Sequence, residues 1–350
     1  MSKSKTLCYE RLTEFTRECL LAAGLDGQDA ENTARGICLA SLRGIDSHGI
    51  RLLPHYVKCI LGGRINKNPV LKFRSSLPAC HILDADHGIS YSAGLAAMEK
   101  CIDAARRYGA GITAVENSNH CGMMAFYALE AAKKDMIGIA MTHATPKMQS
   151  YGSKSTFFGT NPVCITAPMS DEEPFCYDSA PTPFTSNKVK MYKEAGMPLP
   201  PGCAADADGN ETLDAEKAVQ LLPIGLYKGV GLSMCVDIFC AMFTGMPAGN
   251  KVSQMYGTDY AEKRSLGQFY MAINIEAFRP PAEFKKQLQK TVNELRKQPA
   301  GDKKKVMAPG DPEKAIARER LENGIPVSEA LLEELNSTAL ELGVKTLNED

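Results

Sequence analysis

Three short stretches carry side chains able to do chemistry near neutral pH. The first, Asp46-Ser47-His48-Gly49-Ile50-Arg51, sets a carboxylate, a hydroxyl, an imidazole and a guanidinium around a glycine. Histidine is the natural side chain for moving a proton at this pH. Arg51 is of the type that grips a carboxylate through two hydrogen bonds. The same stretch also reads as a plain loop whose histidine caps a helix. The second stretch, Asn117-Ser118-Asn119-His120-Cys121-Gly122, ends a strand-like run and opens a helix-like one. Ligands tend to bind at such strand ends. Side chains adjacent in sequence rarely face one another, so His120 and Cys121 do not read as base and nucleophile. The third, Gly225-Leu226-Tyr227-Lys228-Gly229, puts a lysine at a helix start. That position suits a cation only if an anion sits nearby, and helix starts do bind phosphate or carboxylate. Otherwise Lys228 simply reaches into water.

Two further loops are rich in small polar groups around turns: Phe158-Gly159-Thr160-Asn161-Pro162, and the run from Tyr177 through Asp178, Ser179, Ala180, Pro181 and Thr182. Thr160 and Asn161 are candidate substrate contacts. Asp178 follows an apolar run, where it either orients an imidazole or caps a helix beginning near Pro183. The histidines at 55, 81, 87 and 143 stand in weaker contexts and read as structural or surface groups, His143 least securely because it ends a strand-like run. No Gly-x-Gly-x-x-Gly and no Gly-x-x-x-x-Gly-Lys-Ser/Thr occurs, which disfavours an ordinary Rossmann domain or P-loop. No cysteine or histidine spacing suggests a metal site.

These loops need elements to hold them. Residues 9–23, 26–42 and 52–61 read as three amphipathic helices, the first stopped by Gly24 and the second capped by Asp26. From Val70 the period changes. Apolar runs at 79–83, 111–115, 137–141 and 163–167 alternate with helical stretches at 91–108 and 124–134. That alternation predicts a mixed α/β centre. Residues 229–244 are apolar on nearly every side and predict a helix buried all round. A polar stretch at 298–305 precedes a last helix spaced by Leu331, Leu332, Leu335, Ala339 and Leu342. The chain divides on this reading into a helical part with the His48 loop (1–75), a central α/β part (76–290), and a helical part (291–350) that packs back on the first.

Composition bounds the rest. In 350 residues, 40 basic and 41 acidic side chains leave a net charge of −1, so no general attraction to nucleic acid or anionic lipid is expected. No apolar run approaches the ~20 residues that span a bilayer. Met1-Ser2-Lys3-Ser4-Lys5 leads into a charged amphipathic pattern, which does not resemble a secretion signal. Twelve cysteines are scattered with no Cys-x-x-Cys pair, and most are expected to be buried packing in a reducing cytoplasm.

The order of the motifs is more telling than any one of them. Ser47-His48-Gly49, Asn119-His120, Phe158 to Pro162, Asp178-x-Ala180 and Lys228-Gly229-x-Gly231 resemble the malate/L-lactate dehydrogenase family of the non-Rossmann type. The resemblance runs on through Val252-Ser253-Gln254-Met255-Tyr256, Ser265-Leu266-Gly267-Gln268, Pro309-Gly310-Asp311 and Asn323-Gly324-Ile325. It implies an α/β fold of three layers, a mixed sheet flanked by helices, of the L-sulfolactate dehydrogenase type. It also implies an oxidoreductase using NAD or NADP on a small 2-hydroxy or 2-oxo carboxylate, and a homodimer. By the same resemblance His48 is a proton donor with Ser47 and Asp178 as relay partners, and His120 is an alternative base. Ala144, Asp178, Ser179, Ala180, Thr182, Tyr227, Lys228, Gly310, Asp311 and Pro312 fall on cofactor-contact segments. Ala144 replaces a serine, so only a backbone contact survives there.

Departures concern the substrate. Many relatives of this kind place arginine four residues after the first histidine. Here that position is Leu52, and the arginine is Arg51, turned by about 100° if the segment is helical. Pro181 and Pro183 also remove backbone donors from the cofactor loop. A cyclic-imine carboxylate reductase of the same family is the alternative reading. Two further classes are consistent with parts of the chain: a pyridoxal-phosphate enzyme built on Lys228, and a non-catalytic relative whose Pro181 loop no longer takes cofactor.

Overall fold

The computed structural model describes residues 4–301 and 305–348, so the polar stretch 298–305 lies partly outside the described residues. Its first element is a strand that the sequence pattern conceals, β1 (Ser4–Leu7). Helices α1 (Tyr9–Ala22), α2 (Gly27–Leu42) and α3 (Leu53–Leu61) follow. Asp26 caps α2 as its position requires, accepting the Gln28 and Asp29 N–H groups at 2.8 Å each. The centre then runs β2 (Lys72–Leu77), β3 (Cys80–Asp84), α4 (Ser90–Tyr108), β4 (Ala110–Ser118), α5 (Ala125–Ala132) and β5 (Met136–Thr142). After the short β6 (Met148–Gln149) and β7 (Thr156–Phe158) come β8 (Val163–Ala167), β9 (Phe175–Ser179) and α6 (Ser186–Glu194). Two more short strands, β10 (Ala204–Ala205) and β11 (Gln220–Leu221), lead to α7 (Tyr227–Asp237) and then β12 (Leu266–Asn274). The last elements are α8 (Pro281–Arg296), α9 (Asp311–Asn323), β13 (Ile325–Ser328) and α10 (Glu329–Glu341).

The main sheet has seven strands in the order β2-β3-β4-β12-β5-β8-β9, parallel only between β3 and β4. That mixed pattern explains the site. β12 runs antiparallel to both β4 and β5, so these two end at the edge where β12 begins. β8 starts at the same edge, pairing Val163 with Met141, and β9 ends there, pairing Ser179 with Val163. The chain therefore brings residues 118–120, 142–144, 160–163, 178–180 and 264–266 to one edge. The sequence could not show this, because it depends on register between strands that are far apart in the chain.

Alternate residues of β12 enter different cores. Tyr270 and Ala272 pack with Cys101, Tyr127 and Ala128 of α4 and α5, while Phe269 and Met271 pack with Val236 and Cys240 on the other face. Helix, sheet and helix make three layers, with α1 to α3 outside α4 and α5. Burial on both faces gives β12 a nearly unbroken apolar run, which hides the two-residue period of a strand. The expected helix at 229–244 needs correction. α7 passes at Asp237 into a π turn (Ile238–Met242), and its outer face exposes Met234, Ile238, Met242 and Phe243. Its apolar residues point both inward and outward, so this helix is not buried all round.

The chain ends are joined. β1 pairs antiparallel with β13, and the aliphatic positions Leu332, Leu335 and Ala339 of α10 enter the same core as Leu12 and Phe15. Nine of the twelve cysteines are buried and all are unpaired; Cys8, Cys80 and Cys235 are exposed. Among the described residues no helix is long and apolar enough to cross a membrane.

Candidate active site

At the converging edge lies a cavity of about 280 Å³. Its lining includes Ser47, His48, His120, Ala144, Thr160, Asp178, Ser179 and Ala180, drawn from five loops distant in sequence. His48 sits on a tight turn (Asp46–His48) after α2. That turn is held by α9: the Arg320 guanidinium reaches both Asp46 oxygens at 2.6 and 2.9 Å and also donates to the Ser41 carbonyl. Asn187 of α6 donates to the Ser47 carbonyl at 2.8 Å from the other side.

The two imidazoles stack, with ring centroids 5.6 Å apart and planes within 15°. Ser47 Oγ lies 2.9 Å from His48 Nδ1, so that part of the expected relay is present. Asp178 is not part of it. Its carboxylate accepts the Ala125 N–H at 2.7 Å, capping α5, which is a different helix from the one near Pro183. His120 Nδ1 instead meets the Tyr56 hydroxyl at 2.6 Å, a contact between residues 64 apart that no local pattern signals. Neither ring's Nε2 has a partner among the described residues.

Burial sets the charge states. It lowers His48 to about 4 and holds His120 well below its usual value, with the charges of His48 and Arg264 adding to the effect on His120. Both rings are therefore neutral at pH 7. Burial also raises Asp178 to about 6, partly offset by the Ala125 N–H.

The buried guanidinium in this cavity is that of Arg264, not Arg51, and Lys147 also enters the lining. Arg51 turns outward onto Glu194 of α6 at 3.1 Å and does not line the cavity, while Leu52 is buried. Arg264 is 4 % exposed and lines the cavity. Its Nη2 donates to Thr145 Oγ1 and the Ser253 carbonyl at 2.8 Å each, and its Nε to Ser253 Oγ at 3.3 Å. Nη1 has no protein partner, and no carboxylate pairs with it among the described residues. Burial and the nearby Arg64 charge lower it to about 10. Arg64 in turn builds the loop that carries it, donating to the carbonyls of Met255 (3.0 Å), Asp259 (2.8 Å) and Glu262 (3.0 Å). A signal for Arg264 existed: it immediately precedes Ser265-Leu266-Gly267-Gln268.

Other expected residues stand apart from the cavity. Asn161 is fully buried behind it, donating to the Ser233 carbonyl and Asp237 while accepting the Ala144 N–H at 2.9 Å. Thr182 spends its hydroxyl on the Phe184 carbonyl. Tyr227 and Lys228 are exposed at the start of α7, which deprives the pyridoxal-phosphate reading of its enclosed lysine. Their turn nevertheless abuts Pro181, whose carbonyl accepts the Ile224 N–H at 2.9 Å, one residue beyond the lining Ala180. Gly310 lies against Cys176 of β9, Pro312 stands half-buried in the first turn of α9, and Asp311 is committed to Arg296 and to the Ala308 N–H. Left-handed backbone occurs at Asn117, Leu226 and Ser265 (φ 51°, 58° and 48°), each next to a site segment.

Residues 7–336 match the malate/L-lactate dehydrogenase family. A malate dehydrogenase of Pyrococcus abyssi is 36% identical over 351 residues, covering 97% of this chain and 95% of that protein. The L-sulfolactate dehydrogenase of Methanocaldococcus jannaschii is 33% identical over 324 residues, 92% of each chain. Its solved structure matches with a TM-score of 0.90 at 31% identity, over 97% of this chain and 98% of its own. The malate dehydrogenase structure from Entamoeba histolytica gives a TM-score of 0.93 at 26% identity, over 99% and 100%. The three-layer fold expected from the motifs is thus the fold found, and the chain belongs to the malate/L-lactate dehydrogenase family of NAD(P)-dependent hydroxy acid dehydrogenases.

Proposed function

We propose that this chain interconverts a small 2-hydroxy acid and its 2-oxo acid, with Arg264 holding the substrate carboxylate and His120 exchanging the proton. One observation carries the reading: two stacked imidazoles share a cavity with a buried guanidinium that no carboxylate among the described residues neutralises. A buried unpaired charge is costly, and a bound carboxylate relieves that cost through charge-assisted hydrogen bonds. NAD or NADP, when bound, supplies the hydride, which no side chain can donate.

The residues present suit that cofactor. The Ala144 N–H is already used by Asn161, and its carbonyl, which accepts no hydrogen bond among the described residues, would be the acceptor for a carboxamide. Ser179, Ala180, Thr185 and Ser186 offer a small polar mouth, and Asp178 lies behind them. Lys147 and Lys228 have no carboxylate partner among the described residues and would serve phosphate groups. Gly310 to Pro312 would contribute backbone only, since the Asp311 carboxylate is occupied.

In reduction, Arg264 would fix the substrate by its carboxylate, and His120, having taken up a proton from solvent at Nε2, would pass it to the carbonyl oxygen. In oxidation the same Nε2 takes the hydroxyl proton. His48, steadied by Ser47, stacks beside it and disfavours a second positive charge. The sequence alone favours His48; the missing Asp178 contact and the short Tyr56 bond move the choice to His120. Thr160 lines the substrate end. The same reading takes the protein as a cytoplasmic homodimer, supported by its unpaired cysteines and the exposed apolar face of α7. Of the three parts 1–75, 76–290 and 291–350, the pairing of β1 with β13 supports the packing of the last on the first, while the limits at 75/76 and 290/291 fall inside β2 and α8.

A panel of 2-oxo acids and cyclic imino acids, assayed with NADH and with NADPH, tests the proposal. Turnover of at least one 2-oxo acid is expected, falling by about 10²–10⁴ in His120→Ala. Activity confined to cyclic imines would move the substrate class. No turnover together with no nicotinamide binding in a fluorescence titration would sink the reading.

A further inference from the structure

His120 works as a base only if its ring proton sits on Nδ1, leaving the Nε2 lone pair toward the cavity. What decides that tautomer is the partner of Nδ1, and that partner is Tyr56 on α3. Tyr56 is 1 % exposed, and its hydroxyl lies 2.6 Å from His120 Nδ1 and 3.4 Å from the Tyr91 hydroxyl on α4. Burial raises both phenols well above their ordinary range, so both stay protonated. A phenol has one proton to give. If Tyr56 gives it to Tyr91, its oxygen is free to accept Nδ1–H. If it gives it to His120, the ring proton is forced to Nε2 and the base is lost.

We propose that Tyr56 is a positioning residue for His120: its oxygen accepts the Nδ1–H while its own proton is directed to Tyr91. This rests on His120 as the proton-exchanging group. On oxidation of the hydroxy acid His120 Nε2 would take the hydroxyl proton, while a bound nicotinamide would accept the hydride from the carbon that bears the hydroxyl. The resulting imidazolium keeps Nδ1–H on Tyr56. No other group nearby can do this. His48 stacks on the ring, His55 of α3 and Arg264 of the 252–265 loop repel its positive form, Asp178 of β9 is bound to Ala125, and the buried Cys121 thiol stays protonated. The Gly122 N–H approaches Nδ1 at 3.4 Å and favours the opposite tautomer, but its contact is the longer one.

The test reads the tautomer directly, by two-bond nitrogen–proton NMR of histidine-labelled protein at neutral pH, with His120→Gln used for assignment. Wild type is expected to carry the His120 proton on Nδ1. Tyr56→Phe leaves only the Gly122 donor and is expected to move it to Nε2. Tyr91→Phe removes the outlet for the Tyr56 proton and is expected to do the same. A proton on Nε2 in wild type, or a tautomer unchanged in both folded variants, would overturn the proposal. Kinetics give a second readout. Tyr56→Phe is expected to lower kcat for oxidation by about 10–100-fold with KM within about three-fold. It is also expected to shift the acid limb of the pH profile downward, because the imidazolium loses an acceptor. An upward shift, or kcat within two-fold of wild type, would count against it. The NMR arm needs no substrate, so an inactive wild type would sink the proposed reaction and leave the tautomer assignment standing.

Discussion

At the residue scale, the separation of Arg51 from Arg264 decides how substrate is held. Arg51 is spent on Glu194 at the rim, an exposed type of pair worth under about 1 kcal/mol. Arg264 is buried with Nη1 free. Arg264→Ala is therefore expected to raise KM for the best 2-oxo acid by about 10²-fold or more, with partial recovery in Arg264→Lys. Arg51→Ala is expected to leave KM within about three-fold. Steady-state kinetics on the three variants check both, and equal effects at the two sites would refute the assignment. Much of this site was legible in the sequence. Ser47, His48, His120, Ala144, Thr160, Asp178, Ser179 and Ala180 were all singled out, and one cavity collects them. The carboxylate anchor and the imidazole's partner were not. Arg51 looked suitable because its rival Glu194 lies 143 residues away, and the Tyr56–His120 contact spans 64 residues. Local spacing says nothing about contacts of that range.

At the element scale, the His48 turn owes its position to helices that are not its neighbours in sequence. α9 grips it through Arg320, and α6 through Asn187. The bidentate Arg320–Asp46 pair is partly buried, where charge-assisted bonds contribute about 1.5–3 kcal/mol each way of counting. Arg320→Ala is expected to lower the urea midpoint and to reduce kcat several-fold while KM stays near wild type, since no cavity-lining group is removed. Urea melts and kinetics on the same preparation check this; an unchanged midpoint would show that the turn holds itself. The three N-terminal helices, the strands at 79–83, 111–115, 137–141 and 163–167, and the final helix all followed from period and capping. β12 and the two-faced α7 did not. Both are apolar over most of their length, and a pattern with little contrast reveals neither a strand's alternation nor which side of a helix faces outward.

At the scale of the whole molecule, the interior holds imidazoles that must stay uncharged. Burial lowers His143 to about 3 and His55 and His48 to about 4, and holds His120 well down. In the unfolded chain each binds a proton near its ordinary 6.5. Below that pH the unfolded state gains protons that the folded state refuses, so stability falls on acidification from about 6.5 toward 4. Asp178, raised to about 6, opposes this over the lower part of the window, as do the raised Asp29 and Asp237. The histidines act first, because their window opens at higher pH. The thermal midpoint is expected to drop between about pH 7 and 5.5, and a flat or rising midpoint across that range would contradict it. The surface makes a different demand. Met234, Ile238, Met242 and Phe243 on the α7 segment, with Leu226 and Tyr227 at its start, leave a set of large apolar side chains exposed. Monomeric proteins seldom show such a face to water. If a second copy covers it, one charge in its middle should separate the copies without touching the cavity. Wild type is expected to scatter light as two chains, and Met242→Asp as one with its circular dichroism unchanged. A wild type with the mass of a single chain would remove the homodimer from the proposal and leave this face without a partner.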